Sequence, residues 1–191
     1  MNYNQMQNAK RYLARFYQIL NQMEEKMLSA RVVDNITIYF IRCMIPHHRA
    51  AIYMCENLLR YTNYPPLQEI AHNIIETQTR GIQQMEEIAR TTCGFDSCLE
   101  DVCCYQKRFL EITQNMVSRM RNSPRCTNIN LSFVGEMIPH HEGAIFMCEN
   151  LLQYCIDPRL IEVAKNIIED QTEGVKQMEE VRRNLCNASC N

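Results

Sequence analysis

With 191 residues and a formal net charge of −2, the chain is long enough for one medium-sized domain or two small ones, and it lacks the basic excess of nucleic-acid-binding proteins. No run of about 18 apolar residues is present, so no membrane-spanning helix is expected. The first residues lack the apolar stretch of a signal peptide, which predicts a cytoplasmic protein. The 11 cysteines and 12 methionines favour metal binding or redox chemistry over disulfides in a reducing compartment.

The sequence aligns with itself, without a gap, when it is shifted by 93 positions. Within residues 44–93, 31 of 50 positions are identical to their counterparts in 137–186. A unit of this length is too long for a solenoid repeat. The alignment therefore predicts two tandem helical repeats, 1–97 and 98–191, related by a pseudo-twofold axis.

Each repeat divides into three predicted helices, of which the first spans about 4–30 and, in the second repeat, 100–121. Glycine and proline are scarce, with 5 and 6 residues, which favours long helices. Apolar residues of the first helix recur every three or four positions, the spacing of one helix face. In the first repeat these are Tyr12, Phe16, Ile19, Met23 and Met27.

The second helix is predicted over about 36–61 and, in the second repeat, 129–154. Asn35 and Asn128, each with the residue before it, supply N-cap side chains at its start. Each copy carries a proline inside the helix, at positions 46 and 139. Because proline removes a backbone hydrogen-bond donor, we expect the helix to kink just before the pair of histidines that follows the proline.

The third helix begins with a proline near position 65 or 158 and runs to about position 90 or 183. A glutamine and a glycine interrupt its apolar face in both repeats. Glycine inside a helix costs about 1 kcal/mol relative to alanine, so we expect it to admit either a bulky side chain or a tight helix crossing. We expect the glutamine to form a hydrogen bond with the histidine pair of the second helix. These residues are Gln78 and Gly81 in the first repeat and Gln171 and Gly174 in the second.

The motif Met-Ile-Pro-His-His, followed by a second methionine and a cysteine, occurs once in each second helix. Methionine stripes are usually ordinary core, but adjacent histidines are poor core residues because each buried ring needs a hydrogen-bond partner. Imidazole and thioether groups with few carboxylates fit Cu(I) better than zinc or iron, which remain alternatives. The candidate ligands of these two helices are Met44, His47, His48 and Met54, and Met137, His140, His141 and Met147.

The same pattern, continued by Ile-x-x-x-Gln-x-x-x-Ile/Val-x-x-Met on the third helix, resembles the "domain of unknown function 305" family. The second repeat matches it almost letter for letter over 137–178, and the first departs from it at Arg49 and Ala50. The resemblance implies a ferritin-like, four-helix-type bundle and a role in copper binding and resistance. By position it adds Met85 and Met178 to the candidate ligands.

A di-iron oxidase is disfavoured. Such a site needs Glu-x-x-His on two helices, but Glu69 and His72 have Glu162 and Lys165 as their counterparts. No cysteine is placed with a histidine and an Asp or Asn in a recognisable catalytic arrangement, so no enzymatic activity is predicted.

The cysteines at the ends of the repeats form a candidate secondary thiol site for zinc or Cu(I), with disulfides or free thiols as equal alternatives. They are Cys93, Cys98, Cys103, Cys104, Cys186 and Cys190.

Two hypotheses about function follow. In the first, the chain is a cytoplasmic all-α protein that sequesters or stores Cu(I), or confers copper resistance, through a His/Met site in each repeat. In the second, it is a structural or coat-like assembly protein, a homo-oligomer cross-linked through its cysteines, with no metal.

Overall fold

A computed structural model describes residues 3–30, 35–92, 97–124 and 128–188, and within these ranges the chain forms helices and no strands. The all-α class and the division into three helices per repeat are confirmed. The helices are α1 (Tyr3–Leu28), α2 (Ile36–Leu59), α3 (Pro65–Thr91), α4 (Leu99–Arg121), α5 (Ile129–Leu151) and α6 (Pro158–Ala188).

The helix starts follow the predicted signals. The side chain of Asn35 caps α2 by accepting from the backbone N–H of Ile38, and Asn128 caps α5 by accepting from that of Asn130. Proline occupies the first turn of α3. Asp34 and Thr127, the neighbouring cap candidates, lie outside the described residues.

The core is continuous across the two repeats. The predicted stripe of α1 is fully buried, as are the equivalent residues of α4. Within each repeat the second helix contacts the first and the third; between repeats α2 contacts α5, and α3 contacts α6. The helices that carry the histidine motifs, α2 and α5, are therefore enclosed by helices of both repeats.

The two repeats reproduce each other in detail. The side-chain amide of Asn57 donates to the backbone oxygen of Tyr12 at 3.1 Å, and that of Asn150 donates to the oxygen of Tyr105 at 3.2 Å. Both α2 and α5 continue as helices through their prolines. The predicted kink stays a prediction, and so does the ferritin-like arrangement of the helices. No helix of the described ranges is both long and apolar enough to cross a lipid bilayer.

Candidate metal centre

The two histidine pairs meet where α2 contacts α5. The rings of His47 and His140 are stacked, with centroids 3.7 Å apart and planes 30° from parallel. His48 lies 6.0 Å from His47, and His141 lies 6.0 Å from His140, with the same interplanar angle of 54°. The four rings thus form one group, which we call the histidine cluster; the stacked rings of His47 and His140 are its inner pair, and His48 and His141 are its outer histidines. The sequence predicted a site in each repeat, whereas the structure places the histidines of both repeats in contact.

The histidine cluster is buried and poor in hydrogen bonds. All four side chains are at most 1% exposed. Neither ring nitrogen of His47 and His140 forms a hydrogen bond of good geometry, and neither does Nδ1 of His48 or of His141. Weaker contacts join His47 to the backbone of His140, His140 to that of His47, and His141 to that of Met137. A buried polar atom without a partner costs about 1–3 kcal/mol, and native interiors contain few of them. Each neutral ring has one N–H and one lone pair, so the concentration of such atoms in one buried cluster indicates a site whose imidazole lone pairs can bind another species.

Burial also sets the protonation of these rings. Because burial disfavours the charged form, it lowers the pKa of His48 to about 3 and that of His140 to about 4. The pKa values of His47 and His141 are lowered well below the usual 6.5, first by burial and then by the neighbouring histidines. All four imidazoles are therefore neutral at pH 7, which is the form that binds metal ions.

The candidate thioether ligands are buried in the helices around the histidine cluster. On α2, Met44 precedes His47 by less than one turn, and the same spacing recurs on α5. On α3 and α6 the methionine follows, by one turn, the glycine that contacts an outer histidine. The side chains of Met44, Met54, Met85, Met137, Met147 and Met178 are at most 2% exposed.

Within the described ranges, no three His, Cys, Asp or Glu side chains are arranged to hold a metal ion together. The candidate donors at this contact are the four imidazoles together with the buried thioether sulfurs. Such a donor set is soft, and soft donors select Cu(I) over the harder divalent ions.

The outer histidines explain why a glycine interrupts the apolar face of each third helix, α3 and α6. A Cβ atom at Gly81 would lie 3.0 Å from both Cδ2 and Nε2 of His48, and one at Gly174 would lie 2.8 Å and 3.0 Å from the same atoms of His141. Glycine at these positions is therefore what lets the ring edges reach the helix backbone. Of the two predicted reasons for the glycine, the close approach of a bulky side chain is confirmed, and that side chain is one histidine of each pair.

The glutamines of the third helices are buried beside these contacts. Gln78 and Gln171 are 1% and 2% exposed, and Oε1 of each has no hydrogen-bond partner. The structure places both residues one turn before the glycine that contacts an outer histidine. Their role as hydrogen-bond partners of metal ligands stays a prediction.

The candidate thiol site is less well defined. Cys98, Cys103, Cys104 and Cys186 are free and exposed, and the Sγ of Cys98 accepts from the backbone N–H of Asp101 at the start of α4. Cys93 and Cys190 lie outside the described residues. The thiol site therefore stays a prediction.

The Glu-x-x-His segment of α3 does not face the interior, because Glu69 and His72 are both exposed. It does not supply the inward-facing ligands of a di-iron site.

Two buried features were missed from the sequence. The sulfur of Met116 occupies the space that a Cβ at Gly143 would need, and its only sequence signal is the pairing of Met116 with Met23 across the repeats. The hydroxyl of Tyr12 donates to the carboxyl of Glu136 at 2.6 Å, 124 positions away in the chain. No local pattern connects two residues so far apart.

Comparison with known proteins gives a family match and three similar solved structures. The family model described as "Domain of unknown function (DUF305)" matches residues 2–89 and 111–182. The silver-bound form of CopM, obtained by soaking, is 27% identical with a TM-score of 0.58, and the match covers 80% of this chain and 98% of that chain. The Cu(II)-bound form of CopM is 29% identical with a TM-score of 0.55, covering 78% and 97%.

A crystal structure of a DUF305 fragment from Deinococcus radiodurans is 21% identical, with a TM-score of 0.56 and coverage of 78% of this chain and 96% of that chain. At this identity the similarity concerns the fold alone. No curated protein matches the chain.

Proposed function

The chain belongs to the domain of unknown function (DUF305) family, and from that premise we propose that it is a copper-binding protein that sequesters or stores Cu(I) in its histidine cluster. The observation that carries the proposal is the set of six imidazole nitrogens that are buried at the contact of α2 with α5 without a hydrogen bond of good geometry. Neutral imidazoles bind a metal without first losing a proton, so binding is favourable at pH 7. Acid protonates the rings and weakens binding.

The choice of metal follows from the donors. The buried methionines add thioether sulfur, and within the described ranges no three His, Cys, Asp or Glu side chains form a metal-binding group. Thioether and imidazole donors suit Cu(I), whereas Mg²⁺ and Ca²⁺ need oxygen ligands. Two forms of a similar protein, CopM, are described as silver-bound and Cu(II)-bound, which supports copper as the metal class.

The test is an anaerobic titration of the reduced protein with Cu(I) against a competing chelator. The double variants His47→Ala/His140→Ala and Met44→Leu/Met137→Leu remove imidazole or thioether donors; the second conserves volume and keeps the core packed. We expect each to weaken Cu(I) binding at least about tenfold, which corresponds to about 1.4 kcal/mol.

The matched control is His72→Ala, which removes the remaining histidine from the exposed face of α3. It should bind Cu(I) as the unmodified chain does. Helical circular dichroism establishes that each variant is folded. Folded double variants with unchanged stoichiometry and affinity would show that the histidine cluster does not hold the metal.

The exposed free cysteines support a second candidate function, that of a structural assembly protein. The thiols of Cys98, Cys103 and Cys104 lie on or beside α4, and that of Cys186 lies near the end of α6, where neighbouring molecules can reach them. This candidate predicts multimers on non-reducing gels that disappear with reductant, together with metal-free protein on elemental analysis.

A further inference from the structure

A groove of about 230 Å³ lies between α3 and α6 and is lined by one member of the histidine cluster, His141. Gln171 and Gly174 line it as well, beside that ring. His141 and Gln171 are 1% and 2% exposed, and each has a buried polar atom without a hydrogen bond of good geometry, Nδ1 and Oε1. Two unsatisfied donor or acceptor groups therefore lie where this groove meets the buried cluster.

The groove is lined by carboxylates and continues along the two helices. Asp170 and Glu173 of α6 line it. It shares Ile70, Asn73 and Gln177 with a neighbouring groove of about 280 Å³, to which Glu69 and Glu180 contribute.

Two cations lie beside these carboxylates: Lys176, 3.6 Å from Glu173, and Arg80, 3.3 Å from Asp170. The carboxylates that line the two grooves still outnumber these cations by four to two.

The equivalent side of the molecule carries a different charge. A shift of 93 positions replaces His141 by His48 and Glu173 by Arg80. Arg80 precedes Gly81, the glycine against which His48 lies, as Glu173 precedes Gly174. Its guanidinium also joins α3 to α6 through its ion pair with Asp170. The residue that precedes the contacted glycine is therefore the carboxylate Glu173 beside His141 and the guanidinium of Arg80 beside His48, and that guanidinium also reaches Asp170 of the groove.

We propose that this groove is the route by which soft monovalent cations reach the histidine cluster, with His141 and Gln171 as the first protein donors that the ion meets. The inference rests on the proposed function and specifies how that site is loaded. A charge at the mouth of a groove acts mainly on the rate of association, and its effect falls as ionic strength rises. The route therefore predicts kinetic differences between the two sides at equal final affinity.

The steric test compares two equivalent exposed positions. Asn73 lines the groove, and Asn166 is its counterpart on α6. Stopped-flow mixing of the reduced protein with Ag(I) should show association slowed about tenfold or more in Asn73→Trp, with the rate of Asn166→Trp close to that of the unmodified chain. Equilibrium affinity, measured against a competing ligand, should stay within about twofold in both.

The charge test exchanges the residues that distinguish the two sides. At low ionic strength Glu173→Arg should slow Ag(I) association about tenfold, and 0.5 M salt should remove most of the difference. Arg80→Glu should leave the rate unchanged or raise it.

The outcomes separate the route from the function. Equal rates for both tryptophan variants, or slowing by Asn166→Trp alone, would overturn the route while the cluster remains a metal site. If the unmodified chain binds neither Ag(I) nor Cu(I) at equilibrium, the proposed function fails and the route fails with it.

Discussion

At the scale of single residues, the glycines of the third helices show how local sequence encodes the site. The repeated glycine predicts a close approach, and the ring edges of His48 and His141 make it. The stacking of His47 on His140 could not be predicted in this way, because it joins residues 93 positions apart on different helices. A spacing pattern reports which residues share a face of one helix, but not which face of another helix it meets.

The first prediction concerns Gly174. In Gly174→Ala the new methyl group would lie 2.8 Å from Cδ2 of His141, so the ring must move. The higher helix propensity of alanine is worth about 1 kcal/mol, and overpacking a buried contact costs about 1–3 kcal/mol. We expect a net destabilisation of about 1 kcal/mol in urea unfolding and weaker Cu(I) binding.

Gln84→Ala, at an exposed position of α3, is the control and should change the free energy of unfolding by less than about 0.5 kcal/mol. A Gly174→Ala variant that is more stable than the unmodified chain would mean that the His141 ring has free space to move.

At the scale of elements, the helix boundaries agree closely with those predicted from the sequence, whereas the contacts between helices could not be predicted from it. The predicted second helix at 36–61 corresponds to Ile36–Leu59, and proline begins the third at position 65 as expected. The last helix extends to Ala188, beyond the predicted end near 183, because no proline or glycine stops it there. The tie between α1 and α5, made by Tyr12 and Glu136, depends on tertiary contacts alone.

The second prediction concerns this tie. Burial raises the pKa of Glu136 to about 8, and the hydrogen bond from Tyr12 opposes the rise. The folded state therefore holds a proton that the unfolded state loses above its pKa of 4.5. The contribution of this group to stability is complete below pH 4.5 and is lost as the pH rises through 8.

The contribution of Glu136 to the unfolding free energy of metal-free protein should accordingly fall by about 2 kcal/mol between pH 6 and 8. The four buried histidines act in the opposite direction, because their lowered pKa values favour the folded state as the pH rises through 6.5. Glu136→Gln, which mimics the protonated carboxyl, isolates the Glu136 contribution: in urea unfolding its stability should change by about 2 kcal/mol more in the favourable direction from pH 6 to 8 than that of the unmodified chain. Glu149→Gln, on the exposed face of the same helix, should follow the unmodified chain. Equal pH dependence in Glu136→Gln and the unmodified chain would assign the effect to another group.

At the scale of the whole molecule, the duplication builds one site from two repeats. The core is continuous, and the histidine cluster takes two rings from each repeat. The repeats have also diverged, because Cys43 stands where the second repeat has Glu136, and Arg80 where it has Glu173. Two similar halves thus enclose a nearly symmetric histidine cluster whose surroundings differ in charge.

The third prediction follows from this shared core. A fragment of residues 98–191 alone would expose the faces of α5 and α6 that contact α2 and α3. The predicted pseudo-twofold axis between the similar repeats would make these faces nearly self-complementary, so we expect two copies of the fragment to replace the missing repeat. We expect a helical homodimer by light scattering and circular dichroism, in which His140 takes both inner positions of the cluster. A folded monomer would instead show that each repeat is a domain with a sufficient core of its own, and that the contact of His47 with His140 is not needed for folding.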